Sequence, residues 1–265
     1  MVTKQEILKS LKDMGAPRDK TVIVHTSLKA IGEIEGRAQT LLDALIEYFT
    51  FGGGVLCVPT HTWHSTFKEI VLDKLSPDCC IGKFSEIAVL DKRGKRTSNP
   101  THSVVLFGEP KRVQEILDNE DKVSTPTCKN GAYGRLYDGG FVLLIGVSQN
   151  KNTYLHSVEE RLSVPNRLSK EPIIMNVRYE DGRVEGKPFY YIYEGDLGDV
   201  STRFSKYEPA FRHYGGIVDG VIGNAKTQLC NAKILADVMA LIRKNSGGIE
   251  LLADDAPLDE NWYKN

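Results

Sequence analysis

Residues 139–161, GGFVLLIGVSQNKNTYLHSVEER, hold one histidine and two carboxylates at helical spacing. Glu159 and Glu160 follow His156 by three and four positions, so a helix entered near Asn152 or Thr153, either of which can cap it, sets all three on one face. Histidine takes up a proton near neutral pH, and a carboxylate one turn along holds its tautomer and stabilises its charged form. That is the equipment of a general base. The same residues also describe an ordinary surface pair, and Glu160 equally suits a solvated pairing with Arg161. Position distinguishes the two readings. Phe141 to Val147 is an almost unbroken apolar run, β-branched at Val142, Ile145 and Val147, which is the pattern of a strand buried on both faces. The histidine thus stands just past the C-terminal end of a buried strand, where open α/β sheets place their ligands.

Two other apolar runs end in the same way. Thr21 to Val24 leads into His25-Thr26-Ser27-Leu28, and Val55 to Val58 leads into Pro59-Thr60-His61-Thr62-Trp63-His64. Three polar strand ends predict one cleft lined by loops from neighbouring parallel strands. The remaining elements support that frame. Thr3 caps a helix with Ile7, Leu8 and Leu11 on one face, 40–48 is amphipathic, and Gly52-Gly53-Gly54 reads as a tight helix-to-strand connection, since no Lys-Ser/Thr pair or helix follows it. Pro172 to Val177 and Tyr190 to Glu194 look strand-like around the turn Glu180-Asp181-Gly182, and 232–243 reads as a last helix. The aromatic-rich stretches 189–194 and 204–214 could cover the acceptor site or pack into the core, and core packing is the expectation. The fold class expected is α/β with an α+β tendency. A central mixed, largely parallel sheet is flanked by helices, with antiparallel strands in the C-terminal part, as one domain over residues 1–265.

The 265 residues carry a net charge of −1, with no basic block beyond Lys92-Arg93 and Lys95-Arg96. Neither nucleic acid nor an anionic membrane is expected as a partner. The first residues lack the apolar core of a signal peptide and no run is long enough to cross a bilayer, which predicts a cytoplasmic protein. Five cysteines without a CxxC pair fit reduced thiols.

Several blocks are more specific than periodicity: HTSLKAIG from His25, VPTHTW from Val58, RTSNPTHSV from Arg96, GRLYDGGFVLLIGV from Gly134, NTYLHSVEER from Asn152 and GNAKTQL from Gly223. In this order they resemble the blocks of the aminoglycoside 3-N-acetyltransferase family, over nearly the whole chain. The resemblance implies a non-GNAT fold that moves an acetyl group from acetyl-coenzyme A to the 3-amino group of a 2-deoxystreptamine aminoglycoside in a ternary complex, an antibiotic-resistance activity, without a metal. It assigns the general base to His156, with His102 as its competitor, and gives Glu159 the task of orienting it or attracting the cationic acceptor. His25, Thr26, Ser27 and Leu28 would meet the pantetheine arm, although Thr26 and Ser27 equally suit helix capping. Arg96, Thr97 and Ser98 would lie beside the coenzyme, with Arg96 reaching a phosphate. Tyr133 and Gly134 would follow, although Gly131-Ala132 replaces the family's usual Ser-Pro there. Thr60, Trp63, Glu159 and Glu160 would face the acceptor. A homodimer is compatible with all of this.

An aminoglycoside carries several positive charges, and a site for it calls for a dense acidic wall. Beyond Glu69 and Asp73, the acids on offer are Glu159, Glu160, the distal Glu194, Asp196 and Asp199, and those of the C-terminal tail. A different amine, such as an amino sugar, is therefore the first alternative acceptor. Two other readings remain open. One is a zinc-dependent hydrolase using His61, His64, His156 and Glu159, and the other is a non-catalytic coenzyme-binding protein.

Overall fold

The computed structural model describes residues 1–192, 198–251 and 256–264. Helix α1 (Lys4–Asp13) starts at Thr3, whose hydroxyl accepts from the Glu6 N–H while the Glu6 carboxylate accepts from the Thr3 N–H. Then come β1 (Thr21–Thr26), α2 (Leu28–Ile31), α3 (Arg37–Thr50), β2 (Val55–Pro59), β3 (Leu72–Asp73), α4 (Lys83–Leu90), β4 (Lys95–Arg96), β5 (Val104–Gly108) and α5 (Pro110–Glu120). The second half runs through β6 (Phe141–Ile145), α6 (Tyr154–Arg161), β7 (Ile173–Arg178), β8 (Val184–Phe189), α7 (Glu208–His213), β9 (Ile217–Ile222), β10 (Ala225–Asn231) and α8 (Ala232–Ser246). Among the described residues no helix is long and apolar enough to cross a membrane.

Seven strands form the main sheet in the order β4-β5-β2-β1-β6-β10-β9. The expected mixed α/β sheet is present, but it is not largely parallel. Parallel pairing is confined to β1 with its neighbours β2 and β6, while β2–β5, β5–β4, β6–β10 and β10–β9 are antiparallel. Connection length explains the difference. Helix α3 carries the chain from β1 to β2 as a crossover, which parallel neighbours need, whereas only Gly223 and Asn224 join β9 to β10, and Gly223 takes the positive φ of 59° that a two-residue hairpin requires. A second sheet, β3-β7-β8, pairs β7 with β8 antiparallel around Met175 and Phe189. The strand expected at Tyr190 to Glu194 is instead β8, which ends at Phe189; its Glu185, Gly186 and Pro188 gave no apolar alternation to read, and Glu194 lies outside the described residues.

The central strands are buried on both faces. Val22 and Val24 of β1, with Leu143 and Ile145 of β6, pack under α1 and α3 against Ile7, Leu11, Leu41 and Leu45. Ile23, Val142 and Leu144 point the other way, to Leu155 and Val158 of α6 and Leu235 of α8. Of the aromatic stretch 204–214, Phe204, Tyr207 and Phe211 are almost fully enclosed in the core, while Tyr214 is exposed. The register sets the strand ends abreast, with Thr26 opposite Ile145 and Ile23 opposite Cys57.

The triple glycine carries the chain from α3 into β2. Gly53 has φ of +82°, and a Cβ on Gly54 would lie 2.6 Å from the Arg18 carbonyl oxygen, 2.7 Å from that of Lys20, and against that of Phe49. Gly54→Ala is therefore expected to cost about 1–3 kcal/mol through overpacking, read as a lower urea midpoint; an unchanged midpoint would show that the carbonyls can move aside.

Candidate active site

The C-terminal ends of β1, β2 and β6 open into a cleft of about 620 Å³ that His156 lines from the first turn of α6. Tyr154 fixes that turn by donating its hydroxyl to the Ala232 carbonyl at 2.9 Å. The His156 Nδ1–H donates to Glu159 Oε2 at 2.7 Å, and Glu159 Oε1 accepts from Arg167 Nε at 3.1 Å. With Nδ1 committed to the carboxylate, Nε2 is the ring nitrogen whose lone pair is available in the neutral imidazole. The Phe204 ring packs edge-on against the imidazole at 4.9 Å. Neither residue expected to cap α6 with its side chain does so. Thr153 is already in the right-handed helical region, and the Asn152 amide donates to Gln149 Oε1, leaving Asn152 Oδ1 buried without a partner.

Glu160 does not share the site with Glu159. Its carboxylate accepts from the Thr125 hydroxyl at 2.6 Å and from the N–H and hydroxyl of Thr127 at 3.0 and 2.5 Å. Burial pushes this carboxyl up in pKa while the threonine hydrogen bonds pull it back. The expectation that Glu160 faces the acceptor is thus corrected: three donors from the 125–127 loop hold it elsewhere.

Three more histidines surround the cleft, all neutral at pH 7. Burial holds the His25 imidazole down at about 4, the His102 imidazole at about 3, and that of His61 well below its ordinary value. His61 Nε2 meets the Tyr133 hydroxyl at 2.6 Å, and the His61 and His102 rings lie 4.5 Å apart. His25 Nε2 and Thr26 Oγ1, like Asn152 Oδ1, are buried without a protein partner, and all three residues line the cleft. Buried polar atoms left unpaired in a cavity are suited to a ligand that completes them.

Other residues singled out from the sequence have structural partners. Ser27 caps α2 by accepting from the Ala30 N–H, and Leu28 opens that helix. The Arg96 guanidinium, only 5% exposed, donates to the carbonyls of Thr60, Asp73 and Ser76 and to Ser103 Oγ, so it is not free to reach a phosphate. Thr97 accepts from the Val104 N–H; Ser98 lies between Asp121 and the Lys187 ammonium; Thr60 bonds Ser103. Tyr133 stands behind His61, and Gly134 lies so close to the Cys128 carbonyl that a Cβ would clash. None of these residues forms the cleft wall. Trp63 does line it, as do Asp199, Tyr191 and Ile192 from the aromatic stretch that could cover the acceptor site, and the unanticipated Phe67 and Thr101. A position just past a strand end was the signal for Asn152, and the aromatic stretch 189–194 was the signal for Ile192, but the sequence carries none for Phe67. Glu194, Asp196, Asp254 and Asp255 lie outside the described residues.

The grouping considered for zinc does not assemble. His64 pairs with Asp78 at 3.3 Å while His61 bonds Tyr133, and among the described residues no three His, Cys, Asp or Glu side chains gather to hold a metal.

The sequence profile of the family described as aminoglycoside 3-N-acetyltransferase matches residues 23–242. The chain belongs to that family. It is an acyltransferase of this group, with curated relatives of nearly its own length. The SPbeta prophage-derived aminoglycoside N(3')-acetyltransferase-like protein YokD of Bacillus subtilis is 26% identical over 249 residues, covering 86% of this chain and 87% of that protein. Aminoglycoside N(3)-acetyltransferase III of Acinetobacter baumannii is 26% identical over 262 residues, covering 88% of each. The fold is shared with the crystal structure of YokD, at a TM-score of 0.73 and 22% identity over 90% of this chain and 97% of that one. It is shared as well with the apoenzyme of aminoglycoside acetyltransferase AAC(3)-IVa, at 0.77 and 20% identity over 99% and 96%. A third match is the binary complex of AAC-IIIb with CoASH, at 0.75 and 18% identity over 91% and 96%.

The buried histidines make stability depend on pH. Their folded pKa values lie below the unfolded value near 6.5, so between the two the unfolded chain binds more protons and stability falls as pH drops. The urea midpoint is expected to decline from pH 6.5 towards pH 4, with His102 alone contributing a slope of about 1.4 kcal/mol per pH unit. His102→Gln should make that decline shallower, and an unchanged slope would mean that His102 titrates normally in the fold. Arg96→Ala leaves the Ser76 carbonyl without its donor, at roughly 1–3 kcal/mol, takes one of two donors from the carbonyls of Thr60 and Asp73, and empties a buried site, so it is expected to lower the urea midpoint far more than a surface Arg93→Ala.

Proposed function

We propose that this enzyme transfers an acetyl group from acetyl-coenzyme A to a primary amine held beside His156, within a ternary complex and without a metal. The observation that carries the reading is the chain His156–Glu159–Arg167 at the mouth of β6, opening on a cleft with unpaired buried polar atoms. Acetyl-coenzyme A, when bound, supplies the acetyl group as a thioester, whose C–S bond breaks as the amide C–N bond forms, so that coenzyme A leaves as the thiolate and is protonated to the free thiol. An ammonium has no lone pair for attack, so the amine must give up a proton, and His156 Nε2 takes it. The Glu159 carboxylate holds the ring by Nδ1 and stabilises the imidazolium that results. Arg167 keeps that carboxylate in place and matches its charge.

The other requirement is a donor where negative charge develops on the carbonyl oxygen. The Thr26 hydroxyl and the neutral His25 ring, at the end of β1, offer donors without adding a competing charge. Asn152 Oδ1 offers an acceptor to an N–H group. The cleft volume of about 620 Å³ is in the range of small-molecule sites. The relatives' names, aminoglycoside N(3)-acetyltransferase, make the 3-amino group of a 2-deoxystreptamine ring the first acceptor to try.

His156→Ala is expected to lower kcat for thiol release from acetyl-coenzyme A by about 10²–10⁴-fold, the range that general base catalysis contributes. Coenzyme binding by calorimetry should stay nearly unchanged. An alanine variant that turns over at the wild-type rate would remove His156 from the base's role.

A further inference from the structure

We propose that His61 is a catalytic hydrogen-bond donor to the thioester carbonyl oxygen of acetyl-coenzyme A, through an Nδ1–H tautomer fixed by the Tyr133 hydroxyl. The proposal rests on the acetyl-transfer reading above and adds a residue to its machinery. His61 follows β2 and lines the cleft, and its Nε2 is 2.6 Å from the Tyr133 hydroxyl. Tyr133 is 1% exposed, and burial raises its hydroxyl well above the ordinary pKa, so the phenol keeps its proton. A buried O–H needs an acceptor, and His61 Nε2 is the one within reach among the described residues. Donation from the phenol to Nε2 puts the imidazole proton on Nδ1. The other tautomer would set Nε2–H against the phenol oxygen and leave the phenol proton without an acceptor.

The residue is held in position as well as in tautomer. The His61 carbonyl accepts from the Cys80 N–H at 2.9 Å, the His102 ring lies 4.5 Å from the imidazole, and the next side chain, Thr62, donates its hydroxyl to the Pro100 carbonyl at 2.6 Å. Burial, with the histidines around it, keeps the His61 imidazole neutral. A neutral imidazole still donates one N–H to an oxygen on which negative charge develops, and brings no charge that must itself be matched. Sheet order gives the direction. β1 stands between β2 and β6, so His25 and Thr26 at its end lie between the segment that carries His61 and the segment that carries His156. A carbonyl held at the end of β1 has the base on its β6 side, where the amine gives up its proton, and the His61 N–H on its β2 side. Nδ1 keeps its proton throughout, and its hydrogen bond strengthens as charge gathers on the oxygen.

Two substitutions of the full chain separate the donor from a merely structural partner of Tyr133. The amide nitrogen of Asn takes the place of Nδ1 and the amide of Gln that of Nε2, so His61→Asn keeps the donor and loses the Tyr133 contact, while His61→Gln does the reverse. In thiol release from acetyl-coenzyme A with tobramycin as acceptor, His61→Gln is expected to lower kcat by about 10²–10³-fold, the cost of one oxyanion donor, and His61→Asn to recover roughly tenfold or more of that loss. Long-range proton–nitrogen NMR spectra of the wild type without ligand should find the His61 proton on Nδ1, and Tyr133→Phe should move it towards Nε2. The infrared C=O stretch of bound acetyl-coenzyme A, read without an acceptor, should rise in His61→Gln. A wild-type proton on Nε2, His61→Gln at least as active as His61→Asn, or the same C=O frequency in wild type and His61→Gln overturns the proposal, and the wild-type tautomer decides even where a variant does not fold. Bound acetyl-coenzyme A with an unchanged C=O frequency leaves acetyl transfer standing without His61, whereas no binding to the wild type overturns acetyl transfer and this proposal together.

Discussion

The carboxylate of Glu159, 1% exposed, is the group around which the site is arranged. An ionised carboxylate taken that far from water persists only with opposite charge and hydrogen bonds on its oxygens. Arg167 supplies the cation and His156 the other donor, so each oxygen has one partner. Reaching that geometry shapes the chain after α6. Arg167 comes back to Glu159 over eight residues through two non-glycine positions in the left-handed region, Ser163 at φ 51° and Asn166 at φ 59°. Such positions cost roughly 1–3 kcal/mol each, and the charge-assisted contacts that they permit offset that cost. The same carboxylate selects the His156 tautomer, so the burial of Glu159 and the orientation of the His156 ring have one cause.

A second buried cation shapes the opposite wall. Arg96 sits under the segment that follows β2 and gives its donors to Thr60, Asp73, Ser76 and Ser103. That segment has little regular structure, so its carbonyls have no ladder to bond. The guanidinium supplies what a strand or helix would have supplied, and so fixes the backbone that presents His61, Trp63 and Phe67. Removing water from this region also decides the state of the histidines. His25, His61 and His102 are neutral because the cost of burying an imidazolium exceeds anything their neighbours return. The cleft floor therefore offers hydrogen-bonding groups without net charge, which suits an uncharged thioester carbonyl.

Much of this was legible in the residue order. The buried strands β1, β2 and β6 could be read from apolar runs because a two-faced strand needs nearly continuous hydrophobicity, and the helix after β6 could be read from spacing. His156 and Glu159, three residues apart on that helix, meet through local geometry alone. Glu160, one residue further, did not follow, since the 125–127 loop more than thirty residues away supplied its three donors. The destination of Arg96 was hidden for the same reason: the carbonyls that occupy its donors come from distant segments.

The sequence by itself determined the alternation of elements, the family, and the short-range pair His156 and Glu159, because periodicity and i,i+3 neighbours depend only on the chain's own geometry. Tertiary structure decided the parallel core between antiparallel edges and the destination of each polar side chain outside α6. Those outcomes depend on which backbone groups are buried without partners, and burial is a property of the packed whole.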